Sequence, residues 1–328
     1  MSRAANTGRD APRVSVGLPV FNGENFVADA VDSVLRQSFA DFELIVQDNA
    51  STDRTAAIVR GFAARDSRVR YFRNPRNLGA APNYNLAYRA ARGEYFKWLA
   101  HDDRLAPGYL AATVRMLDER PDAVLCNAVV RYIGARGEPI GVYDSGLRQA
   151  DVGSAAQRFA RMVLSSHSCV DFFGVIRRSA MLGTLLHGSF HGADRAFLAQ
   201  MALRGRFVQV PDALVEMREH GGRYTRSRVR STERLAWHDA SLSGRVNFST
   251  WRLYAEYLKA VAGEKLPASE RLKCYAVLAR WWGVNWNAVR AAVDVVAVIA
   301  PGAPGLAERV KARVFGAAPG HFIREPRQ

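Results

Sequence analysis

The chain has 328 residues, of which 48% are hydrophobic and 23% charged, and it carries a formal net charge of +15. That composition supplies enough apolar side chains for a sizeable core and excludes an intrinsically disordered chain. The three cysteines, Cys126, Cys169 and Cys274, are far apart and form no CxxC pair, so neither a disulfide framework nor a zinc knuckle is supported.

Strand and helix patterns alternate along the first 120 residues. Strands are predicted at Val14–Val20, Phe42–Gln47, Val69–Arg73 and Tyr95–Ala100, and helices at Glu24–Gln37, after the Ser51–Asp53 cap, at Ala80–Arg92 and at Pro107–Glu119. This alternation predicts a largely parallel, doubly wound sheet with helices on both faces.

The second half of the chain is less regular. Strands are predicted at 123–134 and 171–176, a loop at 134–153, helices at 154–164, 178–187 and 192–205, and two short strands within 206–220. The remainder is basic, rich in tryptophan and mainly helical, with 18 Lys and Arg against 8 Asp and Glu from residue 221 onward.

Two observations bear on where the protein works. Residues 1–12 carry charge but lack the apolar core of a signal peptide, and we expect them to be flexible. The apolar run "AAVDVVAVIA" contains Asp294 and has only ten residues. A run of this length is too short for a spanning helix. We therefore predict a cytoplasmic protein, at most peripheral at the inner face of the membrane.

Polar residues follow each of the four predicted strands: "PVFNGEN", "DNASTD", "NPRNLG" and "HDD". Ligands of open α/β sheets bind at the carboxyl ends of the strands, which makes this edge the predicted site. Asp102 and Asp103 suit a divalent cation that bridges a diphosphate, although one of them could instead cap the next helix.

Four other residues also have two interpretations each. Asp48 either accepts an N–H of a ligand or closes an Asx-turn, and Phe21 either stacks on a flat base or joins the core. Asp194 fits a general base but also the first turn of a helix, where a carboxylate is favoured. His220 fits a metal ligand, although a lone histidine is more often structural.

Taken in order, these stretches resemble the family-two glycosyltransferases of the GT-A fold. "VSVGLPVFNGENFVADAVDSVLRQSFADFELIVQDNASTD" is similar to the nucleotide-binding opening of that family, and "ARGEYFKWLAHDD" is similar to the approach to its Asp-x-Asp motif. The resemblance implies a GT-A domain over 13–222, with a nucleotide-binding half at 13–120 and an acceptor half at 121–222. It also implies a Rossmann-like, doubly wound, mostly parallel sheet, which the helical extension 223–328 follows.

The resemblance assigns roles to particular residues. It implies that Asp194 is the general base, and that Asp102 and His220 hold Mg²⁺ or Mn²⁺. Residues expected to bind the nucleotide-sugar are Pro19, Phe21, Asn22, Glu24, Asp48, Asn77 and Asp103.

This sequence departs from the family pattern at three places. Ala100 replaces the first Asp of the Asp-x-Asp motif, and Ala193 replaces the Glu of the Glu-Asp pair. Where many members carry Ala-Arg-Asn-x-Gly, this chain has "APNYN", without the arginine. These changes bear on metal affinity and donor identity more than on fold.

The implied activity is inverting transfer of a sugar from a nucleotide-diphospho-sugar to a saccharide or lipid-linked acceptor, in the synthesis of cell-surface polysaccharide or glycoconjugate. The alternative is a catalytically degenerate GT-A domain that binds a nucleotide-sugar or a partner. The basic extension is a possible membrane contact. No nucleic-acid module accompanies the positive charge, so no nucleic-acid partner is expected. A nucleotidyltransferase would normally carry a Gly-rich loop after the first strand, which "PVFNGEN" is not.

Overall fold

The computed structural model describes residues 11–146, 150–151, 153–223, 231–243, 245 and 248–299. The predictions that fall on residues 1–10 and 300–328 lie outside the described residues. None of the helices in these ranges is long and apolar enough to cross a membrane.

The first half of the sheet is parallel, as predicted. Its strands are β1 (Val14–Val20), β2 (Phe42–Asp48), β3 (Val69–Arg73) and β4 (Tyr95–Trp98), in the spatial order β3-β2-β1-β4. The helices between them are α1 (Val27–Leu35), α2 (Thr55–Ala63) and α3 (Ala80–Arg89). Every residue of β1 and β2 is buried, as expected for strands covered on both faces.

The second half continues the same sheet with mixed strand directions. It contains β5 (Arg104–Leu105), α4 (Tyr109–Glu119), β6 (Ala123–Ile133), β7 (Pro139–Tyr143), α5 (Ala155–Leu164), β8 (Val175–Arg177), α6 (Arg178–Met181), α7 (Ala193–Arg204) and β9 (Arg206–Arg218). The short strand β8 lies antiparallel between β4 and β6, and β9 runs parallel to β6. The full order is β3-β2-β1-β4-β8-β6-β9-β5, with β7 paired to β6.

Four predictions for this half were wrong in detail. Residues 206–220 form one strand of 13 residues, whose register against β6 shifts where Val210 is followed by Pro211, because proline has no N–H for the ladder. The predicted strand 171–176 is mostly a 3-10 turn, Val170–Phe173. The predicted helix 178–187 ends at Met181, close to Gly183 with its φ of +69°. The predicted loop 134–153 contains β7.

Helices cover both faces of the sheet and form two cores. On one face, α1, α2 and α4 pack on Val16, Leu44 and neighbouring strand residues. On the other, α3, α5 and α7 pack on Ile45, Phe96 and Leu125.

The chain ends in four described helices, α8 (Ser231–His238), α9 (Ser249–Gly263), α10 (Ala268–Trp281) and α11 (Asn287–Ile299). Tyr257 and Trp281 from this extension are buried in the same core as Phe159 of α5 and Phe197 of α7. The doubly wound, mostly parallel sheet with C-terminal helices is therefore confirmed. The boundary at residue 222 stays a prediction.

Candidate functional site

The loops after β1 and β2 are held together at the carboxyl edge of the sheet. Asn22, with a φ of +50°, accepts a hydrogen bond on Oδ1 from the Thr52 backbone N–H (2.8 Å) and donates its own N–H to Ser51 Oγ (2.9 Å). The preceding Phe21 keeps 42% of its surface exposed. These two hydrogen bonds fix the turn that carries Phe21, so its exposed ring is held at the edge of the sheet where a nucleotide would lie.

Glu24 and Pro19, both predicted to bind the donor, have structural roles here. The Glu24 carboxylate accepts from the backbone N–H and the side chain of Arg54, and the Glu24 N–H donates to Asp53. Pro19 is buried within β1, opposite Gln47. These contacts shape the loop wall, and direct contact of either residue with a donor stays a prediction.

Asp48 ends β2, and both oxygens of its carboxylate accept hydrogen bonds from neighbouring residues. Oδ1 accepts from the Ser51 N–H (2.8 Å), while Oδ2 accepts from the Tyr71 hydroxyl (2.6 Å) and from Arg73 Nη1 (3.1 Å). The Asx-turn interpretation of Asp48 therefore describes the local geometry. The side chain is 0% exposed, which bears directly on its predicted role toward the base.

A buried network of amide side chains supports this edge from below. Asn74 Nδ2 donates to Asn49 and to Asn83, and Asn74 Oδ1 accepts from Gln47, each at 2.8–2.9 Å. Asn49 Nδ2 in turn donates to Asn77 Oδ1 at 2.8 Å. Sequence reasoning missed this network, although its asparagines follow β2 or β3 or lie in the first turn of α3 and Gln47 is the penultimate residue of β2. Asn77, predicted to contact the donor, belongs to it.

Asp102 and His220 meet at the ends of β4 and β9. His220 Nε2 lies 3.0 Å from Asp102 Oδ2, and the imidazole packs against Phe26 at 4.8 Å between ring centroids. Burial alone would raise the pKa of Asp102, but His101 and the hydrogen bond with His220 outweigh burial and lower it. The two predicted metal ligands are thus brought together, and the carboxylate favours its ionised form.

Asp103, the next residue, makes a different contact. Its Oδ1 accepts the backbone N–H of Arg218 at 2.9 Å, so it ties β4 to β9. Burial, and then the neighbouring Asp102, raise the pKa of Asp103 to about 7. Its predicted contact with the nucleotide-sugar stays a prediction, and the contact observed is structural.

Arg218 anchors the same corner and was not identified from the sequence. Its buried guanidinium donates to the carbonyl oxygens of Asp102 and Ala135 and to the Asp29 carboxylate, at 2.9–3.0 Å. It also lies over the ring of Phe26. Arg218 is hydrogen-bonded to the backbone of Asp102 and stands two residues before His220 in the chain. It therefore helps to fix both members of the pair.

A carboxylate oxygen and an imidazole nitrogen at hydrogen-bonding distance form a donor set that suits a divalent cation such as Mn²⁺. No group of three or more His, Cys, Asp or Glu side chains within the described residues could hold a metal by itself. The protein would therefore supply two ligands, and phosphate oxygens and water would have to supply the others. This arrangement is the usual one for Mg²⁺ at phosphate sites.

Asp194 lies in the first turn of α7. The N-cap of this helix is Gly192, whose φ is +91°. Asp194 accepts the Arg195 N–H on its Oδ1 at 2.8 Å, and it borders Cys169 and His187 electrostatically. The Arg195 guanidinium is turned away, toward the carbonyl oxygens of Ser165 and His167. Asp194 is half-buried, and its role as a general base stays a prediction.

An aromatic floor connects the Asp102 and Asp194 sides. Tyr84 contacts His187 at 4.8 Å and Trp98 at 6.3 Å between ring centroids, and Trp98 stacks on Phe172 at 4.5 Å. Burial raises the pKa of Tyr84, and the carboxylates of Asp102 and Asp103 add to the effect. His187 in turn interacts electrostatically with Asp194, so these aromatic contacts link the surroundings of the two predicted sites.

A family model described as "Glycosyl transferase family 2" matches residues 15–182, which is just over half of the chain. The chain belongs to glycosyltransferase family 2. An uncharacterized glycosyltransferase of Rickettsia typhi is 33% identical over 109 residues, covering 33% of each chain. A GalNAc(5)-diNAcBac-PP-undecaprenol beta-1,3-glucosyltransferase of Campylobacter jejuni is 28% identical over 184 residues, covering 56% of this chain and 57% of that relative. The matches thus span well under two thirds of these relatives.

Solved structures share the fold of this family 2 glycosyltransferase at low identity. S. aureus TarS 1-349 has a TM-score of 0.60 at 17% identity, covering 90% of this chain and 83% of that chain. The mannosyltransferase PcManGT from Pyrobaculum calidifontis, solved in complex with GDP-Man and Mn²⁺, has a TM-score of 0.52 at 19% identity, covering 93% and 81%. The likeness confirms the GT-A architecture.

Proposed function

We propose that this protein transfers a sugar from a nucleotide-diphospho-sugar to an acceptor hydroxyl, with inversion at the anomeric carbon. The observation that carries the proposal is the pairing of Asp102 with His220 at the strand ends of a family 2 domain. The aromatic contacts that run from Tyr84 through His187 support the inclusion of Asp194 in the same site. TarS solved with UDP-GlcNAc and PcManGT solved with GDP-Man support the donor class.

Asp102 and His220 would hold Mg²⁺ or Mn²⁺ against the donor diphosphate. When bound, the cation stabilises the negative charge that develops on the leaving diphosphate. Arg218 contributes by fixing the backbone of Asp102, so the carboxylate is already in place before the donor arrives. Phe21 offers its exposed face to the nucleotide base.

Asp194 would take the proton from the acceptor hydroxyl as that oxygen attacks the anomeric carbon. The new C–O bond forms while the bond to the diphosphate oxygen breaks, so configuration inverts in one displacement without an enzyme nucleophile. The contacts of Asp194 support this role, because the carboxylate accepts the backbone N–H of Arg195 while the guanidinium of Arg195 donates to the carbonyl oxygens of Ser165 and His167.

A degenerate domain that only binds nucleotide-sugars is the second candidate, and the departures at Ala100 and Ala193 favour it. Against it, the chain keeps Asp102, His220 and Asp194, and Asp102 and His220 are in direct contact. A pair of metal ligands together with a general base is needed for sugar transfer more than for binding of the nucleotide-sugar alone. The catalytic proposal therefore stands ahead.

For the acceptor we propose a saccharide or a lipid-linked saccharide in the synthesis of cell-surface polysaccharide or glycoconjugate, reached at the inner face of the membrane. The C. jejuni relative is named for an undecaprenol-linked substrate. Helix α11 of this chain presents exposed apolar side chains, among them Val289, Val295 and Val296, while its Asp294 accepts the Thr250 N–H. An apolar face on a basic extension suits an anionic lipid surface.

The test is calorimetric titration of the full-length protein with UDP, GDP, dTDP and CDP, each with and without Mn²⁺. Metal-dependent binding of one nucleotide is expected. Incubation of the corresponding nucleotide-sugars with Mn²⁺, followed by detection of released nucleoside diphosphate, then separates catalysis from binding. Binding without any release or transfer would favour the degenerate domain, and no binding at all by the folded protein would refute the proposal.

A further inference from the structure

The carboxylate that the family resemblance assigns to the nucleotide base is covered in this structure. Asp48 is 0% exposed, and its two oxygens already accept three hydrogen bonds, from Ser51, Tyr71 and Arg73. A carboxylate has about four acceptor positions, so at most one remains, and no water-sized group reaches it. The group on the solvent side of Asp48 is the Arg73 guanidinium.

Arg73 is held firmly but keeps donors free. Its Nη1 donates to Asp48 Oδ2 at 3.1 Å and its Nη2 to the Ser51 carbonyl at 2.8 Å. These two bonds fix the plane of the guanidinium, and 38% of the side chain stays exposed. Because an arginine has five N–H groups, donors remain available on the exposed side.

The Arg73 guanidinium is connected through Ser51 to the turn that carries the exposed Phe21. It binds the carbonyl of Ser51, and the hydroxyl of the same Ser51 accepts the N–H of Asn22, the residue that follows Phe21. A ring stacked on Phe21 would therefore have its edge beside the turn that Arg73 occupies. An arginine presents only donors there, which calls for an acceptor on the ligand.

We propose that Arg73 is the residue that reads the nucleotide base, through a hydrogen bond to a base carbonyl oxygen, and that Asp48 is a positioning residue that orients the guanidinium. This inference rests on the proposed function, since it assumes a nucleotide donor. It favours bases with a ring carbonyl, such as uracil, thymine or guanine. Adenine has none, and its amino group would bring a donor against a donor.

Titrations of the full-length protein with UDP, GDP and ADP in Mn²⁺ test the proposal. The variants are Arg73→Met, which keeps the stem without donors, Arg73→Lys and Asp48→Asn. Arg36→Met is the matched control, because Arg36 is exposed at the end of α1, the opposite edge of the sheet. Thermal unfolding of each variant checks that it is folded.

Wild type is expected to bind UDP or GDP more tightly than ADP. Arg73→Met should weaken that nucleotide roughly 10-fold or more, the size expected for a lost hydrogen bond to a charged group, and leave ADP unchanged. Arg73→Lys should fall between, and Asp48→Asn should lose less than Arg73→Met. A merely destabilised protein would weaken all nucleotides equally, so the selectivity ratio is the deciding readout.

Two results would overturn the inference while the proposed function stands: unchanged or tighter UDP and GDP binding by Arg73→Met, or a larger loss in Asp48→Asn than in Arg73→Met. Either would mean that Arg73 moves aside and the carboxylate meets the base. Failure of folded wild type to bind any nucleotide would instead refute the proposed function, and this inference with it.

Discussion

Asp102 and His220 lie 118 positions apart in the chain, and their side chains are 3.0 Å apart in the folded protein. Asp102 follows β4, at the end of the parallel half of the sheet, and His220 follows the long strand β9. The contact joins the first half of the sheet to its last strand at the edge where ligands of such sheets bind.

We expect His220→Ala to weaken Mn²⁺-dependent nucleotide binding by about 10- to 100-fold, a loss typical of disturbed metal sites. Nucleotide binding in the presence of EDTA should be the same in variant and wild type, because the base site is untouched. Calorimetry under both conditions measures the two affinities. An equal loss with and without Mn²⁺ would mean that His220 supports the fold and does not serve the metal.

Asp194→Asn should lower turnover by about 10²- to 10⁴-fold, the usual worth of a general base. Donor affinity should stay nearly unchanged, since the proposed role of Asp194 is toward the acceptor hydroxyl. Asp212→Asn is the matched control, because Asp212 is exposed at the bulge of β9. Release of nucleoside diphosphate gives the rate and calorimetry the affinity; full turnover in Asp194→Asn would refute the assignment.

The buried Asp171 predicts a pH dependence of stability. Burial raises its pKa to about 6, even though Asn127 Nδ2 and Ser145 Oγ donate to it at 3.0 and 3.1 Å. The folded state therefore holds a proton that the unfolded chain releases near pH 4. Its contribution to stability is complete below about pH 4 and is lost as the pH rises through about 6.

Asp171→Asn keeps an oxygen for both donors but cannot ionise. We expect the free energy of unfolding of wild type to fall relative to this variant between about pH 4 and pH 6 and to level off above. Urea unfolding at pH 4, 5, 6 and 7 measures the difference. A difference that is constant across this range would show that Asp171 is ionised in the fold throughout.

Truncating Asn74 should be costly, because it would leave Asn49, Asn83 and Gln47 with unmet hydrogen bonds in a dry environment. We expect Asn74→Ala to lower the free energy of unfolding by about 2–4 kcal/mol, since each orphaned buried group costs about 1–3 kcal/mol. Urea unfolding of Asn74→Ala, Gln47→Ala and the double variant tests this. If the two losses simply add, the amides do not act as one network.

Binding to anionic vesicles should depend on α11. Val296→Glu places a charge on the exposed apolar face and should abolish flotation with the vesicles at low salt, whereas Leu182→Glu, at an exposed apolar residue outside the extension, should not. Equal flotation of both variants would point to charge alone, and no flotation of wild type would remove the membrane from the proposal.

Much of the parallel half could be predicted, because buried strands such as Val14–Val20 are continuous apolar runs and the residues that end them are polar. The short strand Arg104–Leu105 could not, since its two residues pair with β9 through contacts more than a hundred positions away. The 3-10 turn at Val170–Phe173 looks like a strand in composition, and only the left-handed Cys169 before it changes the outcome.

The candidate site divides in the same way. Asp102, Asp194 and His220 are recognisable because each follows or begins an element. Their surroundings are not recognisable, because in the sequence a buried arginine such as Arg218 cannot be told from a surface arginine. Its hydrogen-bond partners come from three separate parts of the chain. The burial of Asp48 beneath Arg73 likewise depends on the side chains of β3, which no spacing rule reports.

The shared core of α5, α7, α9 and α10 has a consequence for how the acceptor side can change. Tyr257 and Trp281 share a core with α7, the helix whose first turn contains Asp194. A chain that ended at residue 222 would therefore leave apolar side chains of α7 exposed. On the proposed function, evolution could therefore exchange the extension only together with the helix α7 that carries the proposed general base, while the parallel half of the sheet stayed as it was. New acceptors and new C-terminal helices would then arise as a single inherited unit.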